Sequence, residues 1–177
     1  MYTKHVMNSC VFCDRTPLET RIFYDDHTWY AFLTAPPYTK GQTILAIKRL
    51  DTHCPTALTA ENLKGLDIAI AAVTQIMLSH YRPKDVLLAS LRGRDPHIHF
   101  HLIPLWEEEE RAWRESSLRK KGYLFEFLGY VEHTAETRLE TERALHGLSE
   151  DEHRSLFIPQ LQPDVDALRA ISRYDSG

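Results

Sequence analysis

Three histidines alternate with apolar residues in the stretch Asp95-Pro96-His97-Ile98-His99-Phe100-His101-Leu102-Ile103-Pro104. Imidazole changes charge near neutral pH, carries protons, attacks phosphorus and ligates metals. Three of them on one surface can therefore do nucleophilic and acid–base chemistry, or bind zinc or copper. Alternation at period two is the pattern of a half-buried strand. On a strand, residues i, i+2 and i+4 share a face, so His97, His99 and His101 point the same way, with neighbours roughly 6.5–7 Å apart. Ile98, Phe100 and Leu102 then face a core. Pro96 and Pro104 bracket the run and are expected to mark where regular pairing stops. A metal held by this strand alone is the weaker alternative, because catalytic zinc sites draw ligands from more than one element.

A second group able to do chemistry is Cys10-Val11-Phe12-Cys13. Two thiolates on a tight turn make half of a zinc site. The alternatives are a redox dithiol, which lacks the surrounding βαβ pattern, and two unligated cysteines.

The elements that must position these groups can be read from the flanking chain. Arg21 to Asp25 and Thr28 to Leu33 read as the two strands of a hairpin, with Asp26-His27 at the turn. His27 is expected to be exposed. Ala35-Pro36-Pro37-Tyr38-Thr39-Lys40-Gly41 is a breaker-rich loop, and Thr43 to Ile47 reads as a central strand. Thr59 is a candidate N-cap for a long helix, with Asn62 rather than Glu at the third position. Leu63, Leu66, Ile70, Val73 and Met77 form its apolar stripe. Pro83 marks its end, and His80 in the last turn suits the helix dipole. Asp85 to Leu91 reads as a strand, joined by Arg92-Gly93-Arg94-Asp95 to the histidine strand.

The run His97-Ile98-His99-Phe100-His101-Leu102-Ile103 resembles the signature of the histidine triad superfamily, His-φ-His-φ-His-φ-φ with φ apolar. The order of a Cys-x-x-Cys knuckle, hairpin, Gly-led strand, long helix and triad strand is also similar, over roughly Cys10 to Leu105. The resemblance implies an α+β fold, an antiparallel sheet packed by the long helix, paired as a homodimer. It implies nucleotidyl hydrolysis or transfer at an α-phosphate, with His99 as nucleophile, His101 at the phosphate or leaving group, and His97 orienting the site. It implies structural zinc on Cys10, Cys13, His53 and His97. The family's fourth ligand normally stands at the position of Leu50, so here His53, with Cys54 beside it, comes three residues later. It implies a nucleoside pocket along the hairpin, with Phe32, Thr34 and Ile44 as its candidate residues. Thr34 stands where an acidic or amide residue often holds the ribose, and Gln42 where a His often sits. The loop before the triad is shorter than usual, lacks the phosphate-contacting Ser or Gln, and offers Arg92 and Arg94 instead; a guanidinium such as Arg94 is a good phosphate ligand.

Two further readings stay open. A nucleotidyltransferase is disfavoured because the third triad position is His101 rather than the Gln of the uridylyltransferase branch. A non-catalytic nucleotide-binding protein is favoured by the short loop and opposed by the intact triad.

The bulk properties agree with this picture. A chain of 177 residues, 43% apolar, can bury one core and carry an appendage. A net charge of −4 gives no overall field drawing it to nucleic acid. No apolar leader and no long apolar run is seen, so neither a signal peptide nor a membrane span is expected. Three cysteines make no disulfide framework, and a cytoplasmic location is expected.

Residues 1–106 are read as the catalytic domain and 107–177 as a helical extension packed on the core or on a dimer partner. A helix is expected from about Glu107 to Lys121, acidic at its start and basic at its end. Further helices are expected from Ala135 to His146 and from Pro163 to Tyr174, with a short one capped near Ser149. Tyr123 to Val131, rich in aromatics, must bury somewhere. His133, His146 and His153 are expected at the surface.

Overall fold

The computed structural model describes residues 10–48, 58–90, 97–115 and 124–174. A 3-10 turn, Thr16–Arg21, leads into β1 (Ile22–Asp25), β2 (Trp29–Leu33) and β3 (Thr43–Ile47). Helix α1 (Ala60–Tyr81), β4 (Asp85–Ala89) and β5 (His99–Leu105) follow, then α2 (Glu107–Glu115), α3 (Leu124–His146) and α4 (Glu150–Tyr174). The five strands form one antiparallel sheet in the order β1-β2-β3-β5-β4. The triad strand therefore lies between two neighbours, with Ala46 opposite His99 and Ile44 opposite His101 on one side.

Strand periodicity divides the sheet into two faces. Trp29, Ala31, Leu33, Leu45, Ile47, Ile98 and Leu102 face the main core. Helix α1 covers that face with Ala69, Val73, Ile76 and Met77, and α4 adds Val165 and Leu168. Tyr30, Phe32 and Ala46 point to the opposite face, joined by Phe12, Leu18 and Ile22. The histidines share this second face.

Local chemistry explains the boundaries. Thr59 caps α1 through its hydroxyl, which accepts from the Asn62 amide N–H at 3.1 Å, while the Asn62 side chain accepts from the Thr59 amide N–H at 3.1 Å. Asn thus completes the box that Glu usually closes. Arg82, at φ 52°, ends the helix in a left-handed cap just before Pro83. Gly41, at φ +80°, turns the chain into β3, and a Cβ there would lie 2.7 Å from the Tyr81 ring.

Several expectations are corrected. The apolar stripe of α1 does not bury its first member, since Leu63 is 51% exposed. The strand begins at His99, and His97 sits in the bend before it. Pro104 does not end pairing: it lies within β5 opposite Val86. Pairing with β3 has already stopped at Leu102, so the strand has one neighbour there and a residue without an N–H is tolerated. The expected break before Pro163 is absent, and α4 runs through both Pro159 and Pro163. Interior prolines cost a helix roughly 3 kcal/mol each. Here both are exposed, so the carbonyls they leave unpaired face water. Packing of Val165 and Leu168 holds the helix, together with Arg169, which donates to the carbonyls of Ile22 at 2.7 Å and Glu19 at 2.9 Å. The expected cap near Ser149 is present, closed by Glu152. His80 does more than face a dipole: its Nε2 lies 2.9 Å from Asp164, tying α1 to α4. Lys121 and the start of the aromatic run at Tyr123 lie outside the described residues, as do His53, Cys54 and Arg92 to Asp95.

Candidate active site and metal centre

The site is built outward from His97. Its ring is 2% exposed, and its Nε2–H donates to the Ile47 carbonyl at 2.7 Å. With the proton on Nε2, Nδ1 carries the lone pair, and it points at two sulfurs. Cys10 Sγ and Cys13 Sγ each lie 3.5 Å from it, and the three donor atoms fall within 4.8 Å of one another. One lone pair can accept one S–H well, not two. Tetrahedral zinc, with Zn–S about 2.3 Å and Zn–N about 2.0–2.1 Å, sets sulfur and nitrogen roughly 3.6 Å apart. The donor set and its spacing therefore fit zinc. The knuckle that presents the thiols is a turn closed by the Cys13 and Asp14 N–H groups on the Cys10 carbonyl.

Phe12, between the two cysteines, was not singled out by sequence reasoning. It is buried, held by the Tyr30 hydroxyl donating to its carbonyl at 2.9 Å. Its ring stacks on His97 at 5.2 Å and on His99 at 4.7 Å between centroids. An aromatic residue inside a Cys-x-x-Cys was the available signal. The knuckle thus both presents metal donors and covers one face of the central imidazole.

His99 is 7% exposed, and its Nδ1–H donates to the His97 carbonyl at 2.7 Å. This fixes the tautomer of the neutral ring: the proton is on Nδ1 and the lone pair on Nε2. His101 is next along the face, its ring edge-on to His99 at 5.2 Å. Burial, with His99 adding to it, pushes the His101 pKa down to about 4. His101 is therefore neutral at physiological pH. The sign for stability follows: a folded-state pKa below the usual 6.5 favours the neutral form, so this contribution is complete above about pH 6.5 and is lost as pH falls through about 4.

Gln42 sets the His101 tautomer. Its carbonyl oxygen accepts from the Tyr38 N–H at 2.8 Å, so its amide N–H₂ faces His101 Nδ1 at 3.4 Å. Nδ1 then accepts, and the proton sits on Nε2. Sequence reasoning noted Gln42 only as a departure from a family pattern. Gln42→Glu is expected to keep the Tyr38 bond but remove the donor to Nδ1. The His101 pKa should rise from about 4 toward or above 6.5, and any nucleotide turnover should fall up to ~100-fold. An NMR titration of the His101 ring reads the first effect; an unmoved pKa would remove Gln42 from this role.

His101 opens onto a cleft of about 440 Å³, within the usual size for a small-molecule site. Its sheet-side wall is Thr34, Ala35, Pro36, Tyr38 and Gln42. Of the expected nucleoside residues, Thr34 lines this cleft, its hydroxyl donating to the Gln42 carbonyl at 3.2 Å. Phe32 shares the histidine face but is 3% exposed, packed against Tyr30, Phe12 and the Arg21 guanidinium. Ile44 is half-buried opposite His101. Neither is among the residues lining the cleft. Arg94 and His53 lie outside the described residues. His27 and His146 are exposed as expected, whereas His153 is not: it is 5% exposed, 3.3 Å from Glu142, edge-on to Phe157, and lines the cleft.

No protein-family model matches the sequence, and no curated protein matches it. Solved structures do. A HIT family protein from Bacillus anthracis str. 'Ames Ancestor' is 22% identical, over 75% of this chain and 99% of its own, with a TM-score of 0.53. A hypothetical histidine triad nucleotide-binding protein from Sulfolobus tokodaii is 21% identical, over 76% and 95%, with a TM-score of 0.51. A Zn-bound histidine triad family protein from Mycobacterium smegmatis is 20% identical, over 76% and 97%, with a TM-score of 0.50. The chain has the histidine triad fold, an α+β fold with a five-stranded antiparallel sheet. No helix among the described residues is long and apolar enough to cross a membrane.

Proposed function

We propose that the protein is a nucleotidyl hydrolase acting at the α-phosphate of a nucleoside polyphosphate or phosphoramidate. The observation that carries this reading is the His99 tautomer: a buried imidazole whose Nδ1–H is committed to a backbone carbonyl and whose Nε2 is left as a nucleophile. Nε2 attacks phosphorus, a P–N bond forms, and the bond to the leaving group breaks. His101, neutral and held with its proton on Nε2, donates a hydrogen bond, without giving up that proton, to a phosphate oxygen or to the departing atom. Water then attacks phosphorus, the P–N bond breaks, and His99 regains its lone pair. His97 is a positioning residue, holding His99 through its carbonyl and the knuckle through its Nδ1.

Zinc on Cys10, Cys13 and His97 would be structural, with His53 as the fourth ligand, leaving no open position for water. The base lies along Ile44, backed by Phe32, with Thr34 at the ribose and Arg94 on phosphate. Residues 1–106 carry the chemistry and 107–177 form the helical extension. A homodimer is supported by β4, which lies at the sheet edge and carries exposed Leu88, and by exposed Leu63 and Ile68 on α1. The reduced thiol pair and modest negative charge suit a cytoplasmic protein with no nucleic-acid partner.

The test is intact mass spectrometry after brief acid quench, with released nucleotide followed in parallel. The protein is mixed with adenine and guanine dinucleoside polyphosphates and phosphoramidates. Turnover accompanied by one nucleotidyl mass on the protein is expected. A panel that yields no released nucleotide sinks the hydrolase reading and leaves a nucleotide-binding protein.

A further inference from the structure

The cleft that receives His101 has a second wall, supplied by α3 and α4. Its residues are Glu136, Leu139, Glu140 and Arg143 from α3, and His153 and Arg154 from α4. We propose that Arg143 and Arg154, backed by Arg21, form a subsite for an anionic leaving group, so that the preferred substrate joins its α-phosphate to a further phosphate. The inference rests on the hydrolase reading and narrows its substrate class.

Three observations support it. First, Arg143 is half-buried in the wall, and among the described residues no side-chain hydrogen bond or ion pair engages its guanidinium. A half-buried cation without a carboxylate is costly unless a ligand supplies the negative charge. Second, Arg21 lies next to the cleft wall without lining it, bonded to the residue before Thr34. It is 7% exposed, it donates to the Leu33 carbonyl at 2.8 Å beside Thr34, and its Nε has no hydrogen-bond partner. Burial and the neighbouring Arg154 lower its pKa to about 10, so these two cations are near enough to repel. An anion in the cleft relieves that repulsion. Third, the negative groups are placed where water screens them. Glu136 and Glu140 are exposed, and Asp151, 3.9 Å from Arg154, is 95% exposed.

The chemistry balances without a further reactant. His99 Nε2 bonds to the α-phosphorus, the P–O bond to the β-phosphate breaks, and the departing oxygen keeps the electron pair. That new charge develops beside His101, in the cleft that the two guanidiniums also line, and Arg suits phosphate through paired N–H donors. A neutral amine leaving group would draw nothing from them.

The experiment compares diadenosine triphosphate with adenosine 5′-phosphoramidate, using wild type, Arg143→Gln and Arg154→Gln. The ratio of the two kcat/KM values is expected to fall about 10- to 100-fold in each variant, the size of one lost charge-assisted hydrogen bond. Arg143→Lys should restore part of the ratio. Binding of inorganic tripolyphosphate, followed by calorimetry, reports on the subsite without catalysis: wild type should bind it and Arg143→Gln should lose most of the affinity. An unchanged ratio in both variants overturns the subsite, as does tripolyphosphate affinity equal to wild type. If wild type turns over neither nucleotide yet loses tripolyphosphate binding in Arg143→Gln, the hydrolase reading fails and the anion subsite stands.

Discussion

His99→Ala is expected to abolish nucleotide release, with a loss of at least about 10⁴-fold in kcat. Removing a covalent nucleophile has cost up to ~10⁶-fold where such residues act as a unit, and removal of a general acid alone costs ~10²–10⁴-fold. The larger figure applies here because neither of the other two triad imidazoles is placed to take the role. His97 has its Nδ1 directed at the thiols and its Nε2–H at Ile47. His101 lines the cleft with its proton on Nε2, which leaves that nitrogen no lone pair to attack with. The covalent adduct should vanish together with turnover. His101→Asn should behave differently, slowing release while still allowing an adduct on His99. Folding is checked independently by thermal melting, since Ala leaves a gap beneath the Phe12 ring. Retained turnover in a folded His99→Ala protein would move the nucleophile elsewhere.

Chelating the metal is expected to lower the Tm by about 8–16 °C. A ligand that binds only the folded chain stabilises it by ~4 kcal/mol at a thousandfold excess over its Kd. For a chain of 177 residues each kcal/mol shifts Tm by ~2–4 °C. Apart from a metal, the knuckle is held by the two backbone bonds of its turn, by the Tyr30 hydroxyl on the Phe12 carbonyl and by the buried Phe12 ring. Cys13→Ser should reproduce the loss and make the protein insensitive to chelator. Activity should fall with stability, because the His97 carbonyl orients His99. Metal analysis of the native protein should return one zinc per chain. Protein that purifies without metal and melts at the same temperature as zinc-supplemented protein would overturn the assignment.

The alternation of histidines with Ile98, Phe100 and Leu102 sufficed to place the catalytic candidates on one face and a core on the other, because strand periodicity is a local property. The caps at Thr59 and Ser149 were legible for the same reason, as each depends on residues three apart. The helical character of the tail was legible, but its breaks were not. Propensity places an end before Pro163, whereas long-range packing of Val165 and Leu168 carries α4 past it. His153 read as a surface residue because a single His carries no pattern. Its burial comes from Phe157 one turn on and from α3 across the hairpin.

The sequence alone determined the histidine face, the order of strands and helix, and a thiol pair suited to zinc. These rest on spacing within one element or on residue chemistry. What the tertiary structure decided is how those parts meet. Only folding sets Cys10 and Cys13 against His97, across more than eighty residues, lays Phe12 on two imidazoles, and turns the Gln42 amide toward His101. Only folding brings Arg143 and Arg154 to the cleft that His101 lines. Such contacts carry no sequence period. They arise because burying both faces of one sheet forces distant segments to share the same small volume, and the tautomers and charges of the site are set by whatever neighbours that burial supplies.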